Sequence, residues 1–458
     1  MRILVLANIG NRDLEKDGKY LEKIREEGKE ILDNFEKHKE KLRAPILSPT
    51  LEYIGKKNSE AKIELLMFAT DQPKGSEHWE SDTCYIAECL KRMWKEGLLA
   101  EEIEEKNRGG AWVRRIEKHP VYYDTLSRFY KEDLSREKVM DGYDIYYLSV
   151  TGGTPQMNFG LLFSGVELFG DKCRVVYKPI GEDPLEINIA EEIKRSVKIR
   201  IAHELIKKYE YEGASLLLRE LGYSEAASLA KIAAYRLGFD FQRASFEADE
   251  LRKKATSIRK FVSDLYSEFE KLRETEDIPV KVHELYFNMK VCFEKGRYVD
   301  FLGRLYRFIE AVLKLMVTKE FGISSEEEDF EENIEKYPEL KEFLEKEKLR
   351  IEPNTLVLRK CLEWKWKEPK NYPPAFSKVS FLCDKLLPLR NKSIMAHGFK
   401  GVSFEEIAEA LSKQDRGKEE LQSYIFDELL GEGLRSLEVE TAKDPFSKIN
   451  GMIISLIQ

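Results

Sequence analysis

The chain has 458 residues, 42% of them hydrophobic, which is too long for one core and too apolar for a disordered segment. Its 76 basic and 84 acidic side chains leave a net charge of −8 with no long basic tract, so any RNA contact must be confined to a local cleft. Six cysteines (Cys84, Cys89, Cys173, Cys292, Cys361 and Cys383) form no CxxC pair, the opening MRILVLANIG is too short for a signal peptide, and no apolar run is long enough for a membrane span. Free thiols, a cytoplasmic location and no membrane partner are expected.

RILVLAN reads as a buried strand, followed by a charged helical segment through Leu42. KIELLMFAT is a second strand. SDTCYIAECLKRMWKEG is a helix, with Ser81 or Asp82 as its N-cap. YDIYYLSV is a third strand, and TGGTPQMNFGLLFSGVELFG is a glycine turn opening an apolar helix. CRVVYKPI and LEINI finish the region as strands, paired as a closing hairpin. Strands alternating with helices imply a mainly parallel sheet covered on both faces, a Rossmann-like α/β domain over residues 1–188.

From Ile189 onward the apolar residues recur at helical spacing. EGASLLLRELG and SEAASLAKIAAYRLG read as helix hairpins of an all-α connector, residues 189–275, and ETEDIPVK marks its end. A second all-α domain occupies 276–458, interrupted by the acidic stretch SSEEEDFEEN, read as a solvated face or loop.

Three strand ends carry polar residues suited to a ligand. Asn8, Gly10, Asn11 and Arg12 follow the first strand, Asp71 and Gln72 the second, and Thr151, Gly152, Gly153 and Thr154 the third, with Gln156 and Asn158 just beyond. In a parallel sheet these loops gather at the carboxyl edge, where threonine hydroxyls, helix amides and one arginine can line a nucleotide pocket. The turn is neither GxGxxG nor a Walker A loop, and the missing dinucleotide fingerprint argues against an oxidoreductase.

Near the other end, PLRNKSIMAHG places Arg390 and His397 seven residues apart, close to two helical turns. On one helical face, a cation for phosphate oxygens and an imidazole for proton transfer suggest phosphodiester chemistry. The bland reading is a solvated arginine and a capping histidine before Gly398. WVRRIEKHP offers a competing pair, Arg114 and His119, but Pro120 disfavours a helix there.

ANIGNRD, SDTCYIAE and SVTGGTPQMN, followed by RNKSIMAH, resemble the type III CRISPR ancillary ribonucleases. These join a CRISPR-associated Rossmann-fold (CARF) sensor to a HEPN nuclease domain, and the likeness runs the length of the chain. The resemblance implies Arg390, His397 and Asn391 as the catalytic set, supported by Lys392 and Ser393, and gives Arg114 and His119 a structural role. In GRYVDFLGRLYRFIEAVLKLMV it implies a helix beside the catalytic one, on which Arg304, Arg307 and Glu310 form a strip. Glu310 could pair with Arg390 or with Arg307, or belong to an ordinary surface ion-pair strip. A homodimer would share one composite site and cleave single-stranded RNA without metal to 2′,3′-cyclic phosphate and 5′-hydroxyl ends. A cyclic oligoadenylate from the CRISPR effector complex, expected as cyclic tetra-adenylate, would be its allosteric activator. Cleavage of that ring by the sensor itself would be sought at Asn8, Asn11 and Thr151. The alternative is a non-enzymatic nucleotide-sensing regulator, for which no basic recognition helix is evident.

Overall fold

A computed structural model describes residues 1–136, 139, 142–274, 277–323, 327–441 and 443–458. The chain divides into two compact units, Met1–Val197 and Lys198–Gln458, with the boundary inside the helix Ile189–Lys207.

The first unit is built on a six-stranded sheet. In chain order its strands are β1 (Arg2–Asn8), β2 (Lys62–Thr70), β3 (Arg108–Ile116), β4 (Ile145–Ser149), β5 (Cys173–Tyr177) and β6 (Leu185–Ile187). Their spatial order is β3-β2-β1-β4-β5-β6, all parallel except β6, which closes antiparallel on β5. β1 is buried on both faces: Ile3, Val5 and Ala7 enter one core while Leu4 and Leu6 enter the other. The doubly covered Rossmann-like sheet and its closing hairpin are therefore as expected.

Several local expectations are corrected. The segment after β1 is not helical throughout; short strands at Glu15–Lys16, Lys19–Tyr20 and Leu42–Arg43 flank α1 (Ile24–Asp33). β3 was not foreseen. It pairs only with β2, and of its nine residues only Ala111 and Ile116 are buried. α2 (Cys84–Glu96) starts after Thr83, because the Asp82 carboxylate is engaged by Gln72 and Arg25 instead of capping. α3 (Tyr123–Leu134) and α4 (Pro155–Phe169) cover the opposite face.

The second unit is helical over its described residues and has one continuous core from Ala202 to Ile457. The connector therefore does not close on itself. α5 (Ser224–Leu237) packs against the far C-terminal helix, and Tyr211 donates its hydroxyl to Asn450 across 2.9 Å. α6 (Ile278–Glu294) is locked to α5 by fully buried Arg236, whose guanidinium contacts Glu284 twice and Glu268 at 2.6 Å. α7 (Tyr298–Phe321) lies against α8 (Thr355–Trp366) and α9 (Pro374–Lys392); α10 (Pro445–Ile457) is the helix that returns to α5. The acidic stretch is corrected in part: residues 324–326 lie outside the described residues, but Glu327–Glu335 is a helix, anchored by buried Phe330 and Ile334. Residues 275 and 276 of the expected boundary also lie outside the described residues.

Candidate functional site

In the first unit the sheet order reverses between β1 and β4, and open α/β sheets bind ligands at such a switch point. The loops after these two strands touch. A Cβ on Gly10 would stand 2.7 Å from the Gly153 amide nitrogen, so no side chain fits between them. Gly153 adopts φ +74°, the left-handed region that glycine enters freely. Gly152 is buried, and a Cβ there would collide with the Asn8 carbonyl and lie 2.6 Å from the Asp13 carboxylate. Both glycines are thus required by the protein's own packing.

Asp13 anchors this contact. It is 1% exposed and accepts the Gly10 N–H at 2.7 Å. Burial pushes its carboxyl up to about 7, against the pull of that hydrogen bond. Asn8 is buried too, accepting from the Tyr130 hydroxyl and donating to Asn158 at 2.8 Å. Thr151 accepts the Lys178 N–H at 2.8 Å. Thr154 caps α4 by accepting the Met157 N–H, and donates to the Pro120 carbonyl. Asn11 and Arg12 are exposed and Gln156 half-buried, so these three present side chains outward while Asn8, Thr151 and Thr154 hold the frame.

Asp71 belongs to a network that the sequence did not disclose. It accepts from Arg25 of α1 at 2.7 Å and from Arg115 of β3 at 2.8 Å. Burial raises its carboxyl, but these two guanidiniums outweigh burial and hold it below its ordinary value. Arg25 also reaches Asp82 and stacks over Trp79 at 4.4 Å. Arg25 comes from α1, Trp79 and Asp82 from the β2–α2 loop and Arg115 from β3, so no local pattern could have grouped all four.

In the second unit, α9 stops at Lys392, which corrects the premise of a single helical face through His397. Buried Ser393 turns extended and donates its hydroxyl to the Arg390 carbonyl at 2.7 Å. The following turn then folds back. The His397 N–H reaches the Asn391 carbonyl at 3.3 Å, and the Gly398 N–H reaches Ser393. A Cβ on Gly398 would collide with the Lys392 carbonyl, so glycine permits the fold-back. His397 returns to the helix end by a turn instead of by helical phase, and its side chain is exposed.

Arg390 stacks over Tyr306 of α7 at 4.5 Å and donates to the Asn391 side chain at 3.1 Å. These three residues line an open groove of ≈ 500 Å³ with Thr355, Arg359 and Asp384. Arg359 is held by Asp384 at 2.8 Å. The Nε atoms of Arg390 and Arg359 and the Thr355 hydroxyl are buried without a protein hydrogen-bond partner. Glu310 pairs with Arg307 at 3.0 Å and with Lys314, which selects Arg307 from the two partners expected. Lys392 is exposed. Tyr306, Thr355 and Arg359 were not singled out from the sequence, where nothing marks them as neighbours of Arg390.

Residues 270–416 match the family described as Csm6 HEPN domain. This segment is similar to a Csm6 HEPN domain. Arg390, Asn391 and His397 all fall inside it, on α9 and the turn after it. No curated protein sequence matches the chain. Among solved structures, the chain has the fold of Enterococcus italicus Csm6 bound to cyclic hexa-2′-fluoro-hexa-dAMP, with a TM-score of 0.51, 14% identity and 100% of each chain covered. The expected architecture is therefore present: an α/β N-terminal unit followed by a mostly helical part, within which residues 270–416 match the Csm6 HEPN family. No helix among the described residues is long and apolar enough to cross a membrane.

Proposed function

We propose that the chain is an endoribonuclease of the CARF–HEPN kind, activated by a cyclic oligoadenylate, that cuts single-stranded RNA without a metal ion. The observation that carries this reading is the groove at the end of α9. Arg390 and Asn391 line it, and the fold-back brings the His397 backbone to the Asn391 carbonyl, inside the segment that matches the Csm6 HEPN family.

Cleavage needs little beyond positioning and charge. The RNA 2′-hydroxyl attacks the adjacent phosphorus, the bond to the 5′-oxygen breaks, and a 2′,3′-cyclic phosphate and a 5′-hydroxyl result. Arg390, held by Tyr306 and Asn391, would neutralise the non-bridging oxygens as charge builds on them. His397 would take the 2′-hydroxyl proton or supply one to the leaving oxygen.

The turn bearing His397 also exposes Ile394, Met395 and Phe399, the last at 97%. An apolar patch beside the motif suits packing against the same turn of a second chain, giving a homodimer with a composite site. In the sensor, Asn11, Arg12 and Gln156 would meet the ring at the switch point, and its binding would favour the cleavage-competent dimer. We expect cyclic tetra-adenylate, whereas the ring bound to the E. italicus protein is a hexanucleotide. Of the three residues considered for ring cleavage, Asn11 is the exposed one; Asn8 and Thr151 serve the frame.

The test is a fluorescent single-stranded RNA incubated with the full chain in chelator, with and without cyclic tetra- and hexa-adenylate. Ring-dependent cleavage is expected in the parent and in His203→Ala, and not in Arg390→Ala or His397→Ala. Undiminished cleavage by His397→Ala would refute the assignment.

A further inference from the structure

Among the described residues, Glu77, His78 and His119 each offer a metal-ligand atom, and the three atoms lie within 4.8 Å of one another. They come from two loops. Glu77 and His78 sit on the crown of the β2–α2 loop, whose base is clamped where Asp82 accepts from both the backbone and the side chain of Gln72. Turn hydrogen bonds from Ser76 to Pro73 and from Trp79 to Ser76 shape the crown. His119 lies on the loop after β3, one residue before the Pro120 carbonyl that Thr154 holds at 2.6 Å. Both loops therefore arrive on scaffolds fixed from below.

The His119 ring stands edge-on to His78 at 5.5 Å and is tilted against Tyr122 at 5.0 Å. Its Nδ1 is buried and has no hydrogen-bond partner. A buried imidazole nitrogen without a partner costs free energy that a metal or its bound water can recover. Two imidazoles and one carboxylate, without a thiolate, suit Zn²⁺ or a similar transition ion better than Ca²⁺ or Mg²⁺, which favour oxygen ligands. Tetrahedral zinc, with bonds of about 2.0–2.2 Å, sets its ligand atoms roughly 3.3 Å apart. Side-chain rotation of the exposed Glu77 and His78 can close that remaining distance.

We propose that Glu77, His78 and His119 form a zinc-class site that staples the β2–α2 loop to the β3–α3 loop, next to the Thr154 turn of the sensor. Three protein ligands leave a fourth position for water or a ligand oxygen. The site is independent of the HEPN groove and of the ribonuclease reading. It was not legible in the sequence, because forty residues separate His78 from His119 with no ligand spacing between them.

The experiment is titration of the full chain, freed of any purification tag and stripped with chelator, first with Co²⁺ and then with Zn²⁺. One Co²⁺ per chain should bind, with visible ligand-field bands of a low-coordinate nitrogen/oxygen site that Zn²⁺ abolishes. The bands should persist in His38→Ala, weaken in Glu77→Gln, and vanish in the His78→Ala/His119→Ala double variant. Zn²⁺ should raise the melting temperature of the parent and not that of the double variant, whose fold is checked by circular dichroism. Absence of bands at equimolar Co²⁺, or bands undiminished in the double variant, overturns the site.

Discussion

The hydroxyl of Thr154 makes two hydrogen bonds at once: it accepts the Met157 N–H at 3.1 Å and donates to the Pro120 carbonyl at 2.6 Å. One side chain thereby caps the helix after the glycine turn and ties that turn to the loop beyond β3. Thr154→Val keeps the shape and loses both bonds, so a loss of about 1–2 kcal/mol is expected. Thr154→Ser should retain most of the stability. Thermal melting of both variants decides it: equal midpoints for Val and Ser would show that the hydroxyl does not matter.

Asp13 should make the first unit sensitive to pH. Its carboxyl ionises near 3.8 when unfolded and is pushed up to about 7 in the fold. A raised pKa contributes stability that is complete below the unfolded value and is lost as pH rises through the folded one. At 1.36 kcal/mol per tenfold change in proton affinity, that loss approaches about 4 kcal/mol between about pH 4 and pH 7. Asp13→Asn can still accept the Gly10 N–H without ionising. Its melting temperature relative to the parent should therefore be higher at about pH 8 than at about pH 5. A difference that stays constant across this range would contradict the account.

Arg236 is a fully buried charge of the second unit. Burial works against Arg236 and Glu284 alike. Their attraction, helped by Glu268 and by His283, still holds the arginine above and the glutamate below their ordinary values. Arg236→Ala leaves Glu284 buried with only His283 beside it, which should cost about 3–5 kcal/mol in urea unfolding. The double variant Arg236→Met/Glu284→Leu should recover most of it. If the single and double variants were equally unstable, packing and not charge would be responsible.

Phe399 tests the proposed dimer. At 97% exposure it contributes almost nothing within one chain, so Phe399→Asp should leave the melting temperature of an isolated chain nearly unchanged. In sedimentation experiments the variant should shift from dimer to monomer, and ring-dependent RNA cleavage should fall with it. A parent that sediments as a monomer, or a variant that remains a fully active dimer, would remove the patch from the interface.

Legibility followed locality. RILVLAN and KIELLMFAT are strands at the bounds the sequence suggests, because both faces of each are covered and the apolar run is unbroken. β3 escaped because RGGAWVRRI lies at the sheet edge, where two glycines and three arginines dilute the apolar signal. Two of its arginines form ion pairs across space, Arg114 with Asp133 and Arg115 with Asp71. The end of α9 escaped because no glycine or proline marks Ser393; the stop is made by a hydroxyl returning to the Arg390 carbonyl. Acidic residues likewise hid the four-residue spacing of Phe330 and Ile334, which makes that stretch a helix. The seven-residue spacing of Arg390 and His397 suggested one helical face, which the end of α9 at Lys392 breaks.

The return of α10 to α5 has a consequence for the order of folding. Tyr211 and Asn450 are separated by 239 positions, yet they meet in one core with Phe446. During synthesis the sheet of the first unit has all its strands by Ile187 and can close early, since its pairings span shorter loops. The connector cannot close completely: the face of α5 that packs on α10 stays uncovered until residues 445–457 have left the ribosome. The groove beside Arg390, whose helices lie between those two ends, thus assembles within a half-molecule that is sealed only when residues 445–457 have been made.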